Sequence, residues 1–258
     1  MPAPDRPLVL VPGACLGGWA WEDVTRELRG RGHEVYPVTL TGLGERVHLA
    51  TPAVDLDTHI TDVVNVLEYE ALEDAVLVGH SYAGIVVTGV ADRRPDRLNA
   101  VVYFDAAPLP GGMALHDAAP PQLRQAQQHD VEQRGDGWRW PVPDRAALET
   151  GMFGSAAGLG DEHFRMLAER GTPQPYKTFT SPLRLTHESP PGVRRAAIFC
   201  THSGITLEML QELLRQQDPR AMLFAAPDWE LHELGTGHWA MFSAPGASAD
   251  LLARIAAG

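Results

Sequence analysis

Cysteine is nearly absent: Cys15 and Cys200 are the only two in 258 residues, too few for the multi-bridge framework of a small secreted scaffold. A reduced, cytoplasmic setting is expected. Basic residues are also scarce, with 21 Lys and Arg against 33 Asp and Glu for a formal charge of −12. No basic run forms a stripe and an extended polyanion would be repelled, so no nucleic-acid partner is expected. No apolar stretch approaches the ~20 residues that span a bilayer, and no membrane partner is expected. The apolar start Pro7-Leu8-Val9-Leu10-Val11 is cut short by Pro12 and Gly13, with only Arg6 as a basic residue before it. It reads as a strand, not as a signal-peptide core. His-Glu-x-x-His, Cys-x-x-Cys and a complete Gly-x-Gly-x-x-Gly are all missing, which argues against a metal, a nucleotide or any other cofactor.

What the chain does contain is core-forming material, 44% hydrophobic residues against 21% charged, in the range of globular domains. Over the first hundred residues short apolar runs alternate with helical patterns, the mark of βαβ units and a parallel sheet. Strands are expected at Leu8–Val11, Val35–Leu40, Ala75–Val78 and Leu98–Phe104. Between them lie a helix around Trp21, Val24 and Leu28, one capped by Asp57 with the stripe Ile60, Val63, Val64 and Leu67, and one over Ile85–Ala91. From Ala106 to about Gly192 the periodicity fades while prolines, glycines and aromatics recur. This is expected to be a cap inserted into one core, giving residues 1–105 and 193–258 as core and 106–192 as cap. Strand patterns return at Ala196–Cys200 and Trp229–Leu234, and Leu251, Leu252 and Ile255 suggest a closing helix.

The chemistry concentrates at Val76-Leu77-Val78-Gly79-His80-Ser81-Tyr82-Ala83-Gly84, where a strand runs through Gly-x-Ser into a helix. Such a turn lifts a serine hydroxyl above the strand end, and Ala83 in place of the usual second glycine is a mild change. A serine needs a base to take its proton. His238, in the loop Gly235-Thr236-Gly237-His238-Trp239 after the last strand, is the candidate, with His232 as competitor. His80 is expected to point away from Ser81. The acid is less obvious, because Thr201-His202-Ser203-Gly204 offers no carboxylate after the strand ending at Cys200. Asp105, at the end of the strand beside the serine strand, preserves the order Ser, Asp, His; Glu208, or no functioning acid at all, is the alternative. Backbone N–H groups of Ala14 and Tyr82 are the expected oxyanion donors. Gly13, Trp138, Trp140, Tyr176 and Trp239 are the expected substrate contacts, although Trp138, Trp140, Tyr176 and Phe179 could equally be cap core.

Leu10-Val11-Pro12-Gly13-Ala14-Cys15 through Trp19 and Trp21, then Gly79-His80-Ser81, then Gly237-His238-Trp239-Ala240-Met241 with Pro245, resemble the α/β-hydrolase superfamily. The branch it is most similar to is that of the plant methylesterases and hydroxynitrile lyases with their bacterial esterase relatives. The resemblance implies an α/β fold with a roughly six-stranded parallel sheet flanked by helices, an inserted cap, and cofactor-free ester hydrolysis. Three departures stand out. Pro12 replaces the histidine that usually opens the oxyanion loop, and the family's aspartate would align near Ser203, which moves the acid to Asp105. Gly13 and Trp239 stand where hydroxynitrile lyases carry threonine and lysine, favouring an esterase. The expected function is a serine carboxylesterase or thioesterase acting through an acyl-enzyme on a small to medium apolar or aromatic ester, with a homodimer as a compatible state. A non-hydrolytic lyase or cyclase and a non-catalytic ligand receptor are the alternatives.

Overall fold

The computed structural model describes residues 6–187, 192–219 and 221–258. The first residues of the expected core, residues 188–191 of the expected insertion, and residue 220 lie outside the described residues. The strands are β1 (Leu8–Val11), β2 (Val35–Pro37), β3 (Ala75–His80) and β4 (Leu98–Phe104), then the short β5 (Arg139–Trp140) and β6 (Gln174–Pro175), then β7 (Arg194–Cys200) and β8 (Trp229–Leu234). Six of them form one sheet in the order β2-β1-β3-β4-β7-β8, every pair parallel.

A parallel sheet is covered on both faces, so its strands read as continuous apolar runs whose alternate residues serve two cores. Val9, Val11, Leu77, Val101 and Tyr103 point to one face, packing with Ile60 and Val63 of α2 (Leu56–Tyr69) and Val86 and Val90 of α3 (Ala83–Arg93). Leu8, Leu10, Val76, Val78, Val102 and Phe104 point to the other, against α1 (Glu22–Gly30) and the closing helix described below. Registering Val11 with Gly79 and Gly79 with Tyr103 brings the C-terminal ends of β1, β3 and β4 side by side. Groups placed just beyond those ends can therefore meet.

Two local expectations need correction. Asp55, not Asp57, caps α2: its extended backbone lets its carboxylate accept the Thr58 N–H while Thr58 Oγ1 reaches back to the Asp55 N–H, a capping box. Asp57 sits in the first turn and pairs with Arg93. The second strand stops at Pro37 and does not reach Leu40. Val38 N–H still donates to Leu10 O, and the chain then turns away with Leu40 buried.

Between β4 and β7 the chain crosses the sheet's C-terminal edge as a long crossover segment. It holds α4 (Leu115–Ala118), α5 (Pro121–Arg134), α6 (Arg145–Glu149), α7 (Asp161–Arg170), α8 (Lys177–Thr180) and the antiparallel pair β5–β6. After β7 come α9 (Leu207–Arg215), α10 (Ala240–Ser243) and α11 (Pro245–Ala257), the last of which buries Leu251, Leu252 and Ile255 against α1. Among the described residues no helix is long and apolar enough to cross a membrane.

Candidate active site

Ser81 and the helix-capping Tyr82 are the two residues between β3 and α3, and Ser81 has φ 53°. That left-handed conformation is disfavoured for a residue bearing a Cβ and is held by Ser81 N–H to Phe104 O and Gly84 N–H to Ser81 O. The turn is tight enough that a Cβ on Gly79 would lie 2.7 Å from Ala83 O and from a Val87 methyl. Only glycine lets the helix fold back so closely on the strand.

Ser81 Oγ lies 2.9 Å from His238 Nε2, and His238 Nδ1 lies 2.6 Å from Asp105 Oδ2. Asp105 follows β4 directly, at φ 44°, and its Oδ1 accepts the Cys200 N–H at 3.0 Å. Burial alone would raise the Asp105 pKa. The hydrogen bond and charge of His238, with the Cys200 N–H and the Ser203 hydroxyl, outweigh it and hold the carboxyl below its ordinary value. An ionised Asp105 accepts the Nδ1–H, which leaves Nε2 free to accept the Ser81 proton. Such a chain is arranged to make a serine hydroxyl nucleophilic. The two competitors fall away on position: Glu208 is exposed on α9, and His232 pairs with Glu230 within β8.

The His238 loop is braced from both sides. Its N–H donates to Ser155 O and its carbonyl accepts His80 Nε2–H at 2.9 Å. Above it, a Cβ at Gly154 would lie 2.4 Å from His238 Cγ, and Gly154 has φ 109°, so the crossover segment rests directly on the imidazole. His80, expected to point away from Ser81, has its ring turned to the His238 loop and is part of the cavity wall. The His80 ring lies 4.6 Å, centroid to centroid, from that of His238, the two planes tilted by 44°.

Over Ser81 opens a cavity of about 580 Å³, walled by Gly13, Ala14, Tyr82, Trp140, Phe179 and Trp239 among others. Among the described residues the N–H groups of Ala14 and Tyr82 carry no hydrogen bond. Two expected contacts are misplaced. Trp138 lies in the turn before β5, half-buried, its ring covered by the Arg139 guanidinium, and it does not line the cavity. Tyr176 also stands outside the wall because its hydroxyl is bonded to His116 Nδ1 at 2.9 Å, and Phe179 takes the inner position. Sequence reasoning missed Phe153, Phe199, His116 and Gln127, all in the wall. No signal marks them, because they come from separate elements without a shared period. Among the described residues no cluster of three His, Cys, Asp or Glu could hold a metal. Cys15 is buried with its thiol pKa pushed up to about 12, as expected of a small core residue and not a nucleophile.

Two buried histidines support this site as neutral rings. His59 Nε2–H donates to Thr41 O, so Nδ1 accepts from the Tyr82 hydroxyl at 2.8 Å. Burial lowers the pKa of His59 to about 4 and that of His80 to about 3, from 6.5. Between pH 6.5 and those values the unfolded chain binds protons that the folded chain refuses, so stability falls with falling pH. The expected slope is about 1.4 kcal/mol per pH unit for each histidine. Urea unfolding from pH 7.5 to 5 measures it, and His80→Gln should remove roughly half of it, since one of two rings then no longer titrates. A flat profile over that range contradicts neutral burial of both rings.

The model of the alpha/beta hydrolase family matches residues 8–251. A carbendazim-hydrolysing esterase from Nocardioides sp. (strain SG-4G) is 33% identical over 96% of this chain and 98% of its own. Methyl jasmonate esterase 1 of Vitis vinifera is 32% identical over 42% of this chain and 41% of its own. Among solved structures, an extracellular α/β-hydrolase from a Paenibacillus species superposes with a TM-score of 0.80 at 20% identity, covering 96% of this chain and 98% of that one. The six-stranded parallel sheet, the strand–serine–helix turn and these matches agree: the chain belongs to the α/β-hydrolase family.

Proposed function

We propose that the protein is a serine esterase that cleaves small to medium apolar or aromatic esters, thioesters included, through an acyl-enzyme, with Ser81, His238 and Asp105 as its triad. The observation that carries this reading is the unbroken chain from Ser81 Oγ through His238 to Asp105, at 2.9 and 2.6 Å, opening on an apolar cavity. Ser81 Oγ attacks the ester carbonyl while its proton passes to His238 Nε2, and Asp105 stabilises the imidazolium. The carbonyl oxygen, now an oxyanion, accepts from the Ala14 and Tyr82 N–H groups. His238 returns the proton to the departing alkoxide or thiolate, then takes one from the water that attacks the acyl-enzyme and passes it to Ser81 Oγ as the acid leaves.

A cavity of about 580 Å³ falls within the usual ligand range of about 300–1,000 Å³. Its largely aromatic and aliphatic wall favours apolar groups on either side of the ester. The esterase names of the two relatives point the same way. The crossover segment acts in this reading as the cap, supplying Trp140, Phe153 and Phe179 as walls. A non-catalytic receptor needs no carboxylate against His238, so the Asp105–His238 bond favours the esterase reading over that alternative.

Incubation with a fluorophosphonate, followed by intact mass and peptide mapping, tests the reading, because phosphonylation needs both an activated serine and working oxyanion donors. One adduct, mapped to Ser81, is expected. Folded protein that takes no adduct would overturn the hydrolase reading.

A further inference from the structure

The loop after β1 is closed by Leu16 N–H donating to Gly13 O, making Gly13–Leu16 a four-residue turn with Ala14 and Cys15 in the middle. Cys15 has φ 64° while Ala14 is not among the positive-φ residues. Positive φ at the third position alone is the type II pattern, which normally has glycine there. A cysteine is disfavoured at that place, and a turn left unheld would relax out of it, shifting the residues on either side. Something must hold the disfavoured form.

That something comes from the crossover segment, more than 150 residues along the chain. Gln174 Oε1 accepts the Cys15 N–H at 3.0 Å, a pairing across 159 residues, and Thr172 N–H donates to Cys15 O at 2.9 Å. Both polar groups of the strained residue are thus fixed by residues 172–174. Gln174 is fully buried, and it is itself held. Its amide nitrogen donates to Thr178 Oγ1 at 2.9 Å, and the Thr178 hydroxyl donates to Pro175 O at 2.6 Å. Thr172 Oγ1 accepts the Gly44 N–H, anchoring the same stretch to the core. Phe179, the residue after Thr178, packs on Tyr82 with ring centroids 5.3 Å apart. One short segment therefore braces Tyr82 and the residue after Ala14, next to both N–H groups that face the reacting carbonyl in the proposed mechanism.

We propose that Gln174 is a positioning residue for the oxyanion site, its carbonyl fixing Cys15 and through it the Gly13–Leu16 turn that carries the Ala14 N–H toward the substrate. The inference rests on the esterase reading for its kinetic consequence. It makes the crossover segment part of the catalytic machinery: a site whose cap is displaced loses its oxyanion geometry along with its walls. A burial role alone requires only a side chain that fills the space.

The test compares wild type, Gln174→Leu, Gln174→Glu and the double variant Cys15→Gly with Gln174→Leu. Leucine fills the space without an acceptor, so kcat and the phosphonylation rate should fall together by about 10- to 100-fold, the scale of a small misplacement at a reacting centre. KM should stay within about threefold, since substrate walls are untouched. Glutamate, kept neutral by burial, retains the acceptor oxygen and should recover most of the rate. Cys15→Gly removes the steric objection to positive φ and should return about tenfold of the loss with no acceptor present. An unchanged kcat in Gln174→Leu overturns the proposal. So does a loss shared by the glutamate variant and not restored by Cys15→Gly, which would mark plain packing. Hydrogen exchange at the Cys15 amide reads the clamp apart from activity: faster exchange in Gln174→Leu supports it, an unchanged rate overturns it. If wild type takes no phosphonate, the esterase reading fails and the exchange result alone decides the clamp.

Discussion

Ser81→Ala is expected to lower kcat/KM on any ester the enzyme turns over by about four to six orders of magnitude, with the melting temperature within a few degrees of wild type. The side chain's partner among the described residues is His238, so no structural hydrogen bond is lost beyond the catalytic one. The residual rate reflects binding and the oxyanion donors acting on water. Ser81→Gly sharpens the argument. It removes the same hydroxyl and also relieves the φ of 53°, which costs a residue with a Cβ about 1–2 kcal/mol. The glycine variant should therefore be as inactive as the alanine variant yet more stable by about 1 kcal/mol in urea unfolding. That combination, inactivity with added stability, is what a strained functional turn predicts and an ordinary helix-capping serine does not. Activity within tenfold of wild type in either variant would instead indicate chemistry run by His238 alone, as in the lyase or cyclase alternative.

The parts of the molecule that were legible in the sequence share one physical property: their signal is local. β1, β3 and β4 announce themselves because a doubly covered parallel strand must be apolar at every position, as in Val76-Leu77-Val78. The serine turn is legible because strand, small residue and helix follow one another within nine residues. Asp105 could be placed because a strand end is a position as well as a residue. The crossover segment had no such marker. Gln127 and Val131 are the buried residues of α5, too few to set a helical period. Trp138 and Trp140 stand two apart, yet the first lies in a turn and the second in β5, so only the second, 4% exposed, reaches the cavity. Gln174 was invisible for the opposite reason. Its partner is a backbone N–H 159 residues away, and a buried glutamine in a loop-like stretch gives no hint of which group it serves.

The acid can be tested without disturbing its neighbours. Asp105→Asn is expected to lower kcat by about 10⁴-fold, leaving KM within a few-fold and the fold intact. The choice of asparagine follows from the two bonds the carboxylate makes. Oδ1 accepts the Cys200 N–H at 3.0 Å and Oδ2 faces His238 Nδ1 at 2.6 Å. An asparagine keeps the first bond by turning its single carbonyl oxygen toward Cys200, which forces its NH₂ group to face the imidazole. Nδ1 must then accept, so the ring proton moves to Nε2, the atom that faces Ser81. The histidine is held in place but in the tautomer that cannot take the serine proton. Phosphonylation should slow in parallel and still map to Ser81, because the serine itself is unchanged. Asp105→Ala, by contrast, also strands the Cys200 N–H and should lose stability by about 1–3 kcal/mol. A fall of less than tenfold in the asparagine variant would remove Asp105 from the triad. With Glu208 exposed on α9, the base would then be working without a carboxylate to orient it.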